Sequence, residues 1–141
     1  MAALSDSRDT QQLGVLPVPD VISAPIAADT VCYAGGLGCL NASGLAVPGS
    51  TATTLRAVGR IRKTVNNAGG AASAKTVEFE RGVFKFANSA SGDLIAQADV
   101  LTNCYIVDDQ TVAKTDGSSA RSIAGKVIKV ESDGVYVHVG G

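Results

Sequence analysis

The chain has 141 residues, a formal net charge of −1 and a hydrophobic fraction of 45% that comes mainly from alanine and valine. This length allows one domain with a real core and is too short for two domains of typical size. The near-neutral charge disfavours a nucleic-acid partner, which needs a concentrated basic surface. No apolar run approaches the roughly 18 residues of a membrane-spanning helix, so a membrane partner is not expected either.

The N-terminal segment, residues 1–25, differs in composition from the rest of the chain. Residues 5–12 are polar and without a pattern, and no basic region leads into an apolar stretch, so secretion is not indicated. Three prolines follow within nine positions: Pro17, Pro19 and Pro25. Because proline fixes φ and lacks a backbone donor, this segment cannot be a central strand or a helix interior. We predict an extended arm that orders on a partner; a disordered tail in the free protein is an equally good interpretation.

Residues 26–141 are predicted to form one β-rich domain. Fifteen of the chain's sixteen glycines, with many other turn-forming residues, punctuate this part of the chain at the spacing of short strands. Strands are predicted at 30–33 and 38–40, on either side of an irregular Gly35-Gly36 pair. The turn at Asn41–Gly44 then leads into a return strand over 45–48, which gives a hairpin.

Two further strands are predicted in the middle of the chain, at 56–65 and 75–87, separated by the loop Asn66–Gly70. In the second of them, Val77 and Phe79 have the opposite parity to Phe84 and Phe86. This change of phase predicts a β-bulge or a sharp bend near Arg81-Gly82. After a loop at 89–92, residues 96–101 fit either a single helical turn or an irregular crossing.

The C-terminal third is predicted to contain four short strands separated by polar turns. They cover residues 105–107, 111–113, 124–131 and 135–139. A polar corner at Asp108–Gln110 separates the first two, and turns fall at Asp116-Gly117 and Asp133-Gly134, where Gly134 is expected to supply a positive φ. Ile128 and Val130 are two positions apart and are therefore expected on the same face of the strand at 124–131. Val135, Val137 and Val139 share one face of the last strand, with Tyr136 and His138 on the other. The fold class is therefore mostly β, a single compact β-barrel or β-sandwich-like domain with an extended N-terminal arm.

The candidate catalytic residues form no recognisable pattern. His138 is the single histidine, so any Ser–His or Cys–His pair must use it, and its place near the C terminus favours an exposed or interface role. Cys104 precedes an apolar strand, as a buried structural thiol does. Asp108 and Asp109 are adjacent on an extended chain and point to opposite faces, so we expect them to cap a turn rather than to cooperate as a carboxylate pair.

No cofactor or metal site is predicted. Cys32, Cys39 and Cys104 fit neither a disulfide framework nor a zinc pattern and are expected to be reduced, buried thiols. Gly35–Gly38 is glycine-rich but matches no phosphate-binding loop, and a bulge or a close backbone approach is the better interpretation. Three aspartates at turns lack the spacing of a calcium loop: Asp93, Asp99 and Asp116.

The basic residues in the middle of the chain are expected to form a solvated strand face rather than a binding patch. This cluster consists of Arg56, Arg60, Arg62 and Lys63. Acidic residues placed elsewhere are expected to balance its charge: Glu78, Glu80, Asp108 and Asp109.

The order of several segments resembles small capsid decoration (head-stabilising, cement) proteins of tailed bacteriophages. The segments are Val31–Leu37, Asn66–Gly70, Lys75–Asn88, Cys104–Gly117, Ala124–Glu131 and Val135–Val139, so the resemblance covers roughly residues 25–139. It implies a structural virion protein, made in the host bacterial cytoplasm, that binds the outer capsid surface and stabilises junctions between major capsid subunits. It further implies that the major capsid protein is the partner and that the protein self-associates, first as a homotrimer and second as a dimer. It carries over no functional residue, and no enzymatic activity is expected.

Two other classes of function remain as alternatives. A surface carbohydrate- or ligand-binding β module of the virion would usually rely on exposed aromatic side chains. The chain has no tryptophan and three tyrosines: Tyr33, Tyr105 and Tyr136. A small hydrolase is disfavoured because the single histidine lies near the C terminus and no metal cluster is evident.

Overall fold

The structure, a computed structural model, describes residues 5–7 and 21–140. Within these residues it is mostly β, as predicted. The strands in chain order are β1 (Val21–Pro25), β2 (Thr30–Cys32), β3 (Leu37–Leu40), β4 (Ala46–Pro48), β5 (Arg56–Ile61), β6 (Val65–Asn67), β7 (Thr76–Glu80), β8 (Gly82–Phe86), β9 (Asn103–Ile106), β10 (Val112–Ala113), β11 (Ile123–Glu131) and β12 (Gly134–Val139). Two 3₁₀ turns, Ser91–Asp93 and Gln97–Asp99, connect β8 to β9. None of the described helical segments is long and apolar enough to cross a membrane.

The strands form two five-stranded antiparallel sheets and a small two-stranded ribbon. The first sheet has the order β1-β7-β5-β3-β4, the second has the order β10-β9-β11-β12-β8, and β2 pairs with β6. Neither large sheet closes on itself within the described part of the chain, so of the two predicted forms the fold is the sandwich-like one.

Two hydrophobic clusters place the first sheet in the middle of the molecule. One cluster lies between the two large sheets and contains Leu37 and Cys39 from β3 with Val127 and Val137 from the second sheet. The other contains Ile61 and Phe79 together with Cys32 of the ribbon. The first sheet therefore has a hydrophobic cluster on each face, and its strand β3 is buried from Leu37 to Cys39.

The chain crosses from the first sheet to the second at Gly82, which confirms the predicted bend. β7 ends at Glu80 in the first sheet, and β8 begins at Gly82 in the second. Gly82 has a φ of 156°, which residues with a side chain rarely adopt. Phe79 is buried in one cluster and Phe86 in the other, so the change of phase reflects a change of core.

The predicted strand at 56–65 is in fact two strands. β5 ends at Ile61 in the first sheet, and β6 starts at Val65 and pairs with β2 in the ribbon. Between them, the Thr64 hydroxyl oxygen accepts a hydrogen bond of 3.0 Å from the backbone N–H of Ala34. The polar residues 62–64 thus carry the chain from one sheet to the other, a change of partner that strand propensity does not show.

The sheet also begins earlier than the predicted boundary after Pro25. Residues 21–25 form β1, an edge strand paired antiparallel with β7 from Val21 opposite Glu80 to Pro25 opposite Thr76. Proline is compatible with this position because an edge strand needs only one side of its backbone for pairing. Of the remaining predicted arm, residues 1–4 and 8–20 lie outside the described residues.

The final hairpin forms as predicted, with a different turn. Val135, Val137 and Val139 are fully buried, and Ser132 and Asp133 make the turn. Gly134 does not have a positive φ; it is the first residue of β12, where a Cβ would lie 2.9 Å from the Phe86 carbonyl oxygen. A register shift between Val127 and Lys129 leaves Ile128 37% exposed.

Candidate functional site

The three cysteines are free and buried, as predicted. Burial raises the pKa of the Cys32 thiol to about 11, with a smaller contribution from the charge of Asp109. Burial likewise raises the pKa of Cys39 and of Cys104 to about 12. Because a nucleophilic cysteine must be a thiolate, these protonated thiols are suited to packing rather than to catalysis.

The polar corner after β9 is a structural turn. The Asp108 carboxylate accepts a hydrogen bond of 2.9 Å from the backbone N–H of Gln110, which confirms the predicted cap. The carbonyl oxygen of Asp109 accepts a hydrogen bond of 2.7 Å from the backbone N–H of Leu37. The corner therefore ties the second sheet to β3 of the first.

The scattered aspartates hold loops in place. Asp93 accepts hydrogen bonds from Thr115 and Arg121, and these two bonds, in that order, are the main causes that hold the pKa of its carboxyl below the usual value. Asp99 accepts a bond of 2.8 Å from the backbone N–H of Ala96. The backbone carbonyl of Asp116 accepts bonds from two residues of the following turn. Across the described residues, no three acidic, histidine or cysteine side chains are placed to hold a metal ion.

Arg60 of β5 and Arg62, which directly follows this strand, form a ladder of ion pairs with β7. Arg62 contacts Glu78 at 3.0 Å and Glu80 at 3.1 Å, and Arg60 also pairs with Glu80. The guanidinium of Arg60 lies 4.5 Å from the centroid of the Phe84 ring, a cation–π distance. The predicted solvated face is found, but Glu78 and Glu80 balance its charge directly rather than from elsewhere in the molecule.

The glycine-rich segment Gly35–Gly38 makes a tight turn and a close packing contact. Gly35 has a φ of +86°, and the backbone N–H of Gly36 donates to the carbonyl of Tyr33 at 3.1 Å. At Gly38 a Cβ would overlap with the ring of Phe79. These contacts agree with the predicted close backbone approach.

His138 lines a surface depression that the sequence did not indicate. On β12 it lies opposite Lys126 of β11 and Val83 of β8, and it is half-buried. Arg81 and Lys126 line the same depression. Since these residues are far apart in sequence and meet only through strand register, no local pattern could have grouped them.

A second, smaller cleft lies beside Tyr33. It has a volume of about 260 Å³ and is lined by Tyr33, Asp109, Gln110 and the backbone of Gly35 and Gly36. The Tyr33 side chain is 59% exposed. An exposed aromatic ring beside a carboxylate and an amide is the kind of surface that a polar ligand with an apolar face can use.

No family model, curated protein or solved structure matches this chain.

Proposed function

We propose that this protein is a structural component of a tailed-phage virion that binds the outside of the head and stabilises junctions between major capsid subunits. The observation that carries the proposal is the order of segments over residues 25–139 that resembles decoration proteins. These segments coincide with structural units. Residues 75–88 form the crossing between the sheets, 104–117 include β9, the polar corner and β10, and 124–139 include the final hairpin.

The architecture suits a protein that acts by binding rather than by chemistry, and no enzymatic activity or cofactor forms part of the proposal. The sandwich has a core on both sides of its central sheet, and its buried thiols are protonated. The edge strand β1 pairs only with β7 and directly follows the proline-containing N-terminal segment. An unpaired strand edge can accept a strand from another chain, which gives the proposed arm and its neighbourhood a way to contact the capsid.

Binding of this kind stabilises a shell through thermodynamic linkage between binding and assembly. A protein that binds the assembled lattice, and not its dissociated subunits, adds its binding free energy only to the assembled state. Contacts with several subunits at once raise avidity without any single strong contact. Self-association, as a homotrimer or second as a dimer, would multiply these contacts. Exposed apolar side chains such as Val83, Leu101 and Ile123 are available for it.

The proposal is tested with virions that carry or lack this protein. Confined DNA pushes outward on the shell, so particles without the protein should lose DNA at a lower temperature and on milder osmotic shock. Their shells should still assemble with normal geometry, because the protein contributes to the assembled state and not to capsid-protein folding. Adding purified protein back to the deficient particles is the control and should restore heat resistance. Deficient particles as robust as complete ones would contradict the proposal.

The cleft beside Tyr33 favours a second candidate, a carbohydrate- or ligand-binding module on the virion surface. It predicts that Tyr33→Ala abolishes adsorption to sugars or cells while leaving head occupancy and heat resistance unchanged. The head-stabilising role predicts that particles carrying the wild-type protein resist heat better than particles without it. This prediction does not depend on the effect of Tyr33→Ala. The two functions are thus separated by different measurements on the same particles.

A further inference from the structure

A depression of about 620 Å³ lies where β11 begins and β12 ends. Its charged and polar lining consists of Arg81, Asn103, Lys126 and His138, and Ala57 and Ile123 are among its apolar lining residues. Neither the resemblance to decoration proteins nor the proposed function assigns a role to this surface.

Strand register brings the polar side chains together. Lys126 is opposite Asn103 on β9 and opposite His138 on β12. The adjacent residues Val127 and Val137 are fully buried, so Lys126 and His138 point away from the core. Three polar side chains from three neighbouring strands therefore form one row on the outer face of the second sheet.

Arg81 reaches the depression from the crossing between the sheets. It precedes Gly82, which pairs with Val139 at the end of β12. Its Nε donates a hydrogen bond to the carbonyl oxygen of Gly140, which anchors the guanidinium beside the end of the strand. The guanidinium carries five N–H donors, so this bond leaves donors that can face a ligand.

Within the described part of the chain, no acidic residue is placed to balance the positive charges of the depression. Among the described residues, no Asp or Glu lines it, and Arg81 and Lys126 form no ion pair. Six of the basic residues that the structure describes do pair with carboxylates: Arg60, Arg62, Lys85, Lys114, Arg121 and Lys129. A concave surface lined by charges of one sign concentrates the field and attracts ions of the opposite sign.

An apolar cleft continues from the depression. The two share Ala57, Arg81 and Gly140, and the cleft adds Ile22, Leu40, Val58 and Arg56. A ligand with an anionic group and an apolar body could therefore place the first in the depression and the second in the cleft.

We propose that this depression binds an anionic group, a carboxylate or a phosphate, with Arg81 and Lys126 as its binding residues. The planar guanidinium of Arg81 suits two parallel hydrogen bonds to the anion, and Lys126 supplies a point charge. Asn103 and His138 provide further hydrogen-bonding groups. The inference is independent of the proposed function; on a phage head the anion would be an acidic side chain of a neighbouring subunit.

The test is a titration of the isolated full chain with phosphate and with citrate, followed by NMR. His138 is the single histidine of the chain, so its imidazole signals report on the depression without overlap from another histidine. At fixed pH and ionic strength, the anions should shift these signals in a saturable manner, and chloride should not. Binding is expected on the order of millimolar, and Arg81→Gln and Lys126→Gln should each weaken it about tenfold.

Lys63→Gln is the matched control, because Lys63 is an exposed lysine outside the depression, and it should leave binding unchanged. Lys126 is also exposed, so its variant should fold even if Arg81→Gln disturbs the contact with Gly140. A second arm compares the free anions with a short peptide that carries glutamate beside apolar residues. Tighter binding of the peptide identifies a protein side chain as the ligand, and tighter binding of phosphate or citrate identifies a free anion. Absence of saturable binding in both arms, or equal binding by the Lys63→Gln and Lys126→Gln variants, would overturn the proposal.

Discussion

At the scale of single residues, Gly38 shows how closely the hydrophobic cluster around Ile61 and Phe79 is packed. A Cβ at this position would overlap with the Phe79 ring and lie 2.9 Å from Cγ1 of Ile61, both of which are buried. The substitution Gly38→Ala must therefore displace a core side chain. We expect it to lower the free energy of unfolding by about 1–3 kcal/mol, as overpacked cores do, measured by urea denaturation.

Gly92→Ala is the matched control for this prediction. Gly92 lies in a 3₁₀ turn with nothing within 4 Å of a built Cβ and without a positive φ, so the change should stay within about 0.5 kcal/mol. Equal effects of the two substitutions would show that Phe79 does not pack against Gly38 as described.

At the scale of elements, the ladder between β5 and β7 predicts a loss of stability in acid. The hydrogen bond from Arg60, followed by the charges of Arg60 and Arg62, holds the pKa of Glu80 below its usual 4.5. A carboxyl with a lower pKa in the folded state contributes stability above its unfolded pKa and loses that contribution as pH falls through the folded value. The free energy of unfolding should therefore decrease as pH falls below 4.5.

Glu80→Gln isolates this contribution. Above pH 4.5 the variant should be less stable than the wild type, and the difference should narrow as the wild-type carboxyl becomes protonated. High salt should also reduce the difference, since these side chains are partly exposed. Urea denaturation across the acid range measures the difference in free energy of unfolding between the wild type and the variant. A difference that is constant with pH would contradict the role of the Glu80 charge.

Elements were predictable from sequence where local pattern determines them. The bend at Gly82 follows from the change of parity between Phe79 and Phe84, and the final hairpin follows from three alternating valines. The break after Ile61 was not predictable. The chain pairs within the first sheet before residues 62–64 and with β2 after them, and this change of partner strand depends on tertiary structure that the local sequence does not show. The depression was missed for the same reason: Arg81 and Lys126 are brought to one surface by long-range strand pairing.

At the scale of the whole molecule, β1 marks where the described sheet begins, at Val21, after most of the proposed arm. The described sheet includes Val21 opposite Glu80, and Ala24 of the same strand is buried. Deleting residues 1–19 leaves this pairing intact and should change the free energy of unfolding by less than about 0.5 kcal/mol. Deleting residues 1–25 removes β1 and uncovers part of the hydrophobic cluster that contains Ala24 and Phe79. The lost apolar burial should lower the free energy of unfolding by about 2–4 kcal/mol.

The shorter deletion then tests whether the arm contributes to binding on the head. If residues 1–19 contact the capsid, the deletion variant should keep its stability and far-UV circular dichroism yet occupy fewer sites on purified heads. Because several weak contacts act together at each junction, occupancy should fall steeply with dilution when one of them is removed. Wild-type protein added to the same heads is the control for intact sites. Equal occupancy by the wild type and the variant at every dilution would show that the sandwich alone binds, and the search for capsid contacts would move to its exposed faces.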